Sequence, residues 1–529
     1  MKLALFPPFG DGMVLQRDRE IEVWGAAAPG KAVSVTFQGI RRACRADDTG
    51  RWSVFLPPLS FGGPYAMAVA CGGEAVTVGD ILVGEVWVCG GQSNMEMKMD
   101  RVRHMFPEEF ENPRNPHIRQ FDVPQTPRLN GPQTSLESGR WREASPETVA
   151  DFSAAGYFFA KRLYEKYRVP IGLLAAAVGG TPIHAWMSRA MLRGFPDVLA
   201  EADACARPGY IQSVQREESA RTAAYMEALD RDDAGLQRRW YDPAYDDSGW
   251  AERPLCAAWD GDLRATGSVW FRNTLVIPPE LAGKQATLFL GTIVDADTAY
   301  ANGAVVGSTA YRYPPRGYAI PALPEGRCVL ALRVLSQYGQ GGFTPGKPRM
   351  LVCGGRGFDL NGMWKYRRGT IRPPMPRETN FAYKPTGLYN GMIAPLHRWP
   401  VKGVLWYQGE SDAAAPTGYR IKFTSLIQGW RKGWKADLPF LFVQLSHYAD
   451  TGGMDWDALR QEQLASLAEP GTALIFSGDV GEYNDLHPQN KQAVGDRLAR
   501  AAMRVAYGED MPASPFTLCG PLPTLAHPK

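Results

Sequence analysis

"EVWVCGGQSNMEM", residues 85–97, changes character at its midpoint. Val86, Trp87 and Val88 open it as an apolar strand, and it then breaks into Gly90-Gly91 and the polar cluster Gln92-Ser93-Asn94. With the preceding "DILVG" the apolar run is nearly continuous, the pattern of a parallel strand covered on both faces. A serine at the tip of such a strand is either a turn residue or a nucleophile, and a lone serine there is more often a turn residue or helix cap. The choice depends on what else the chain brings to strand ends.

Three more apolar strands end in polar loops. "IGLLAAAVGG" (171–180) ends in Gly179-Gly180-Thr181, "VKGVLWYQGES" (401–411) in Gln408-Gly409-Glu410, and "TALIFSGDV" (472–480) in "GEYNDLHP". A further buried-type strand, "LPFLFVQL", covers 438–445. Amphipathic helices are expected at 151–168, 417–434 and 490–507. Strands alternating with such helices predict an α/β fold with a parallel sheet covered on both faces. In such sheets ligands bind outside the carboxyl ends of the strands, so the four loops are expected to converge.

The flanks differ from this core. Residues 1–84 hold short β-type runs, "EIEVWG", "AVSVTFQG", "RWSVFLP" and "YAMAVACGG", separated by turn signals, and fit a small antiparallel sandwich. A second β-rich stretch, with "VWFRNTLVIP", "ATLFLGTI" and "CVLALRVLS", interrupts the α/β pattern. The expected division is a β-sandwich at 1–84, a first part of the α/β domain at 85–232, an inserted β-domain at 233–352, a second α/β part at 353–510 and an unassigned Pro-rich tail at 511–529.

The chain has 529 residues, a length for about three domains at roughly 100–200 residues each. Its net charge of +3 comes without a basic run, which argues against nucleic acid or an anionic membrane as partner. No apolar run is long enough to span a bilayer. Eight scattered cysteines form no CxxC and no zinc-ligand spacing, so reduced thiols are expected. With an N-terminal apolar run too short for a secretory signal, the chain reads as cytoplasmic. No metal or other cofactor is called for.

Ser93 needs a base, because an alcohol is too weak a nucleophile at its own pKa. Of seven histidines, His487 follows an apolar strand and precedes a helix, and imidazole suits general-base work. The G-x-S-x-G elbow of α/β-hydrolases does not fit, since Met95 stands where its second glycine belongs. Oxyanion donors are therefore sought in the backbone N–H groups of Ser93 and of Gly179 or Gly180, and in the Gln408 amide. Glu410 is open among orienting a neighbour, binding a sugar hydroxyl and pairing a cation. Trp406, Tyr407 and Trp186 are either sugar-stacking residues or core.

The blocks "GQSNM" (91–95), "GGTPIHAWMS" (179–188), "KPTGLYNGMIAPL" (384–396) with "VKGVLWYQGESD" (401–412), and "DLHPQNKQAVGDRLA" (485–499) together resemble bacterial sialate O-acetylesterases, which are SGNH-type hydrolases. "DGMVLQRDREIEVWGAAAPG" (11–30) resembles the leading β-domain of that family. "GSVWFRNTLVIP" and "DADTAYANGAVVG" resemble a sugar-binding jelly roll of the kind found in family 2 glycoside hydrolases. The resemblance implies a flavodoxin-like, three-layer core and a serine esterase acting on an acetylated sugar or oligosaccharide. Ser93 matches the nucleophile, His487 the base, Gly180 (or Gly179) the second-block glycine, and Gln408 the oxyanion position that most SGNH enzymes fill with Asn. Gln92, Asn94, Glu410 and Trp186 are the expected substrate contacts. The general pattern has Asp three residues before the His, where this chain has Asn484, so Asp485 is the expected acid, with Asp479, Glu482 or a backbone carbonyl as substitutes. Sialic acid is the substrate that the family name implies, and acetylated xylan or xyloglucan the alternative. A non-catalytic carbohydrate-binding protein and a glycosidase using Glu410 and Asp412 are rivals from other classes. Oligomeric state is left open.

Overall fold

The computed structural model describes residues 2–111, 115–312, 314–448, 453–482, 485–512 and 514–521. The chain divides into two compact units, one built from Met1–Ile211 and Asn380–Lys529, the other from Gln212–Thr379.

The first unit is organised by a parallel sheet. Its strands, in chain order, are β1 (Glu74–Gly91), β2 (Asn115–Asp122), β3 (Ile171–Ala177), β4 (Gly403–Tyr407), β5 (Phe440–Val443) and β6 (Thr472–Ile475). Their spatial order is β2-β3-β1-β4-β5-β6. Every neighbouring pair within this set is parallel. Antiparallel strands close both edges, Trp141–Ala144 on β2 and Thr517–Cys519 on β6. The strand from the unassigned tail thus covers an edge that would otherwise expose unpaired backbone.

Alternate side chains of each strand enter two cores, as the two-residue period of a strand requires. Trp87, Cys89, Leu173, Leu405 and Leu441 face helices α2 (Ala154–Tyr167) and α5 (Lys491–Val505). Val86, Val88, Leu174, Val404, Trp406 and Phe442 face α3 (Tyr419–Trp434), which supplies Phe423, Leu426, Ile427 and Trp430. A further helix, α4 (Trp456–Ala465), precedes β6. The helix expected at 151–168 begins after Ser153, whose hydroxyl accepts the Gly156 N–H as an N-cap.

The boundary expected between residues 84 and 85 does not exist. β1 runs unbroken through Gly84; its first half pairs with Gly62–Cys71 of the N-terminal β region and its second half with β3 and β4. That region stacks a sheet containing Ile21–Ala26 and Arg51–Leu56 on strands such as Ala32–Phe37, around Val23, Trp24, Val33, Val35 and Trp52.

The inserted unit also differs from its expected bounds of 233–352. It contains a six-stranded and a four-stranded sheet sharing one core of residues such as Phe271, Leu288, Leu332 and Leu351. Arg356–Asp359 and Met363–Ile371, expected to lie in the second α/β part, are strands of these two sheets. "MWKYRRGTI" carries four basic or polar side chains and so lacks the apolar signature of a core strand.

Gly91 has φ +129°, and a Cβ there would sit 2.1 Å from the Tyr407 carbonyl oxygen. Gly91→Ala is therefore expected to force β1 and β4 apart and to destabilise the protein by at least about 2 kcal/mol, read as a lowered melting temperature.

Candidate active site

β3, β1 and β4 are adjacent, and the chain passes from β3 to β4 across β1. Here the order of strands reverses, which is where α/β sheets open a crevice. The loops after these three strands carry Ser93, Gly180 and Gln408, and the loop before α5 carries His487.

Ser93 begins a four-residue helix, α1 (Ser93–Glu96), directly after Gln92. Its Oγ lies 2.9 Å from His487 Nε2. This hydroxyl–imidazole contact joins residues almost four hundred positions apart and has the geometry general-base activation requires.

Asp485 stands on the other side of the imidazole. Its Oδ1 accepts the His487 backbone N–H at 2.8 Å and lies 3.7 Å from Nδ1, beyond direct hydrogen-bond range. Its Oδ2 pairs with Arg101 Nη2 at 3.4 Å. Burial opposes ionisation of this carboxyl, but His487 and Arg101 outweigh it and hold it well below the usual carboxylate range. Of the substitutes, Asp479 pairs with Arg497, and Glu482 accepts the Gln489 N–H. Asn484 lies outside the described residues.

The open choice of glycine resolves by hydrogen bonding. Gly179 N–H donates to Glu96 Oε2 at 2.6 Å. Among the described residues the Gly180 and Ser93 N–H groups have no hydrogen-bond partner. Gly180 has φ +74°, and a Cβ there would meet the Tyr383 hydroxyl at 2.1 Å.

Gln408 does not occupy the expected oxyanion position. It is fully buried, and its Nε2 donates to Asp412 Oδ2 (2.7 Å), Thr181 O (3.1 Å) and Gln92 Oε1 (3.2 Å). Its Oε1 accepts from the Tyr419 hydroxyl at 2.9 Å. With both amide hydrogens engaged, it braces the β3 and β1 loops from beneath.

The four expected substrate contacts are also buried. Gln92 Oε1 accepts from Gly409 N–H and Gln408. Asn94 donates to Glu410 Oε1 (2.6 Å) and Leu486 O (3.1 Å). Glu410 is 4% exposed. Trp186 is core: its indole N–H donates to Thr181 Oγ1, and its ring packs edge-on against Trp406. Trp406 and Tyr407 are buried too. Polar residues after a strand were expected to face ligand; here they bond to one another. The glycosidase pair fails on the same ground, because Asp412 is taken up by Gln408 and the Ile183 N–H and Glu410 by Asn94.

Sequence reasoning passed over Arg101, Tyr383 and Lys491. Arg101 and Tyr383 lie outside the strand-end motifs, and Lys491 reads as an ordinary surface lysine at a helix start. It is instead wholly buried, with Nζ 2.6 Å from Asn94 Oδ1.

A serine hydroxyl on an imidazole, with two N–H groups that have no partner among the described residues, at the switch point of a parallel sheet, is the constellation of an ester hydrolase. The family model of carbohydrate esterases described as sialic acid-specific acetylesterases matches residues 83–223 and 377–504, and the chain belongs to that family. It is similar to the sialate O-acetylesterases of Rattus norvegicus (23% identical) and Mus musculus (24%), each over 97% of this chain and 74% of the relative. A solved carbohydrate acetylesterase from Xanthomonas citri shares 27% identity and a TM-score of 0.59, over 96% of this chain and 76% of that one. The chain is thus an esterase acting on carboxylic esters.

Asp485→Asn keeps the acceptor for the His487 backbone N–H and removes the charge. With Oδ1 beyond hydrogen-bond reach of Nδ1, kcat/KM is expected to fall ~10–10²-fold rather than the ~10⁴ of a directly bonded triad aspartate. Because the folded carboxyl is depressed, its ionisation stabilises the fold above the unfolded value of ~3.9 and ceases to do so as pH falls towards the folded value. The melting-temperature gap between wild type and variant is accordingly full above about pH 5 and closes on acidification.

Proposed function

We propose that this esterase removes O-acetyl groups from a glycan, with sialic acid as the preferred sugar, through an acetyl-enzyme on Ser93. The 2.9 Å contact between Ser93 Oγ and His487 Nε2 carries the reading. In it, His487 Nε2 takes the hydroxyl proton as Oγ attacks the acetyl carbonyl. The Ser93 and Gly180 N–H groups receive the negative oxygen of the tetrahedral intermediate, a contribution typically worth about 10²–10³ in rate per donor. The C–O bond to the sugar then breaks, and the sugar oxygen leaves with the proton from His487. Water, deprotonated by the same imidazole, attacks the acetyl-enzyme and releases acetate. Asp485 favours the imidazolium through its charge and holds the loop through the backbone.

Sialic acid is supported by the family match and by the names of the mammalian relatives. Arg101, with 45% of its side chain exposed, sets a cation beside the His487 loop, which suits a carboxylated sugar. The Xanthomonas citri relative, named only as a carbohydrate acetylesterase, leaves an acetylated xylan or xyloglucan as the second reading. The core is proposed to be of the SGNH type and the inserted unit a sugar-binding-like jelly roll. Action in the cytoplasm on a small imported sugar completes the proposal. It draws on the eight unpaired cysteines.

Acetate release from 9-O-acetylated sialic acid, acetylated xylan and acetylated xyloglucan, by wild type and Ser93→Ala, tests it. Wild type is expected to favour the sialate, and Ser93→Ala to lose at least about 10³-fold in kcat/KM on every ester. Full activity in the alanine variant would remove the serine mechanism. Binding without acetate release by wild type would make the protein a carbohydrate-binding module.

A further inference from the structure

Asn94, the neighbour of Ser93 in the chain, is the middle of a buried row of three side chains. Lys491 Nζ donates to Asn94 Oδ1 at 2.6 Å, and Asn94 Nδ2 donates to Glu410 Oε1 at 2.6 Å. All three are at least 95% buried. The same Nδ2 donates to the carbonyl of Leu486, the residue before His487. Asn94, next to Ser93, therefore ties the serine turn to the histidine loop, with a cation bonded to its oxygen and a carboxylate to its nitrogen. An amide held this way is polarised along its length, and both its bonds are of the shorter, charge-assisted kind.

Two features set the row apart from a structural ion pair. Glu410 Oε2 is buried without a hydrogen-bond partner among the described residues. Among the described residues Lys491 has one oxygen partner for three donors, and it stands over the Tyr407 ring, 5.2 Å from its centroid. Buried charges left this incompletely bonded are costly, and persist where the charge itself has a use. Burial pulls the ammonium of Lys491 down to about 7; Glu410, Asp485 and Glu482 resist this and Arg101 adds to it. Burial raises the carboxyl of Glu410, against the bond from Asn94 and the charges of His487 and Lys491.

We propose that Lys491 and Glu410, joined through Asn94, are positioning residues that lock the His487 loop onto the Ser93 turn and set the electrostatic field at His487 from below. This rests on the Ser93–His487 reading above. The groups acting on His487 are then Asp485 beside it, Arg101 beyond Asp485, and Glu410 and Lys491 beneath. Glu410 favours the imidazolium and Lys491 disfavours it, so removing either charge shifts the imidazole in opposite directions.

The experiment is the pH dependence of kcat/KM for p-nitrophenyl acetate, with melting temperatures recorded alongside. In Lys491→Met the acid-limb midpoint is expected to rise by ~0.5–1 pH unit, and in Glu410→Gln to fall by a similar amount, because one loses a like charge and the other an opposite charge. Both are expected to lose at least about tenfold in kcat with KM within about twofold, and Lys491→Arg to recover most of the loss. The double variant is expected to return the midpoint to within ~0.3 unit of wild type. A merely structural row would lower the melting temperature and leave both midpoints in place. Shifts of the same sign, or none, overturn the proposal. Should Lys491→Met fail to fold, the isosteric Glu410→Gln decides alone: an unmoved midpoint overturns it. Ser93→Ala separates the two levels, since an active alanine variant sinks the serine mechanism and this proposal together, whereas an inactive one with unmoved midpoints sinks only this proposal.

Discussion

The contact on which the site depends is backbone on backbone, between Gly91 at the end of β1 and Tyr407 at the end of β4. No side chain fits between them. Because β1 and β4 come together here in parallel register, with Gly91 opposite Tyr407, the residues that follow each strand diverge from one point. Gln92 N–H donates to Tyr407 O at 2.9 Å, which stops the strand and turns the chain into α1. Ser93 is thus placed by strand pairing and not by a strained elbow, consistent with Met95 standing where the elbow would need glycine. β3, on the other side of β1, brings Gly180 to the same point.

Under this point lies a layer of amides that has no room for ligand. Gln92, Gln408 and Gln463 are buried and bonded to one another or to backbone: Gln463 Nε2 donates to Gln408 O, and Gln408 Nε2 to Gln92 Oε1. Buried polar groups are tolerable only when satisfied, and a satisfied network admits few alternative arrangements. The layer gives the loops a fixed floor, so that the groups above it keep their spacing while the loops themselves carry little regular structure.

What the sequence made legible follows from this arrangement. The second half of β1, together with β3, β4, β5 and β6, is covered on both faces and reads as nearly unbroken apolar runs. β2 did not, because "NPHIRQFD" buries Arg119 against Asp80 and Gln120 against the Ser153 N–H, and partners so distant leave no local signature. The serine and histidine were legible because each follows a core strand and has a chemistry few residues share. The roles of Gln92, Asn94 and Gln408 were misread for the converse reason. An amide after a strand looks the same whether it meets ligand or another polar group. Gln92 and Asn94 find their partners more than three hundred residues away, and Gln408 bonds to Thr181, more than two hundred residues back, as well as to nearby Asp412. Lys491 was invisible because a lysine at a helix start is ordinarily solvated.

The spacing around His487 also explains why a second carboxylate matters. A triad aspartate bonded to Nδ1 does two things at once: it orients the ring and it stabilises the imidazolium. Asp485 orients the loop through the backbone N–H, but at 3.7 Å from Nδ1 it acts on the ring by charge alone, and Arg101 draws part of that charge away. The orienting task then falls on the loop's other anchor, the bond from Asn94 to Leu486 O, and Glu410 makes up the weakened electrostatic term. Lys491, bonded to the other end of the Asn94 amide, sets a positive charge against that carboxylate. In the proposed mechanism two carboxylates and one ammonium bear on the imidazole, and that ammonium, the first residue of α5, is held in the protein interior by its bond to Asn94.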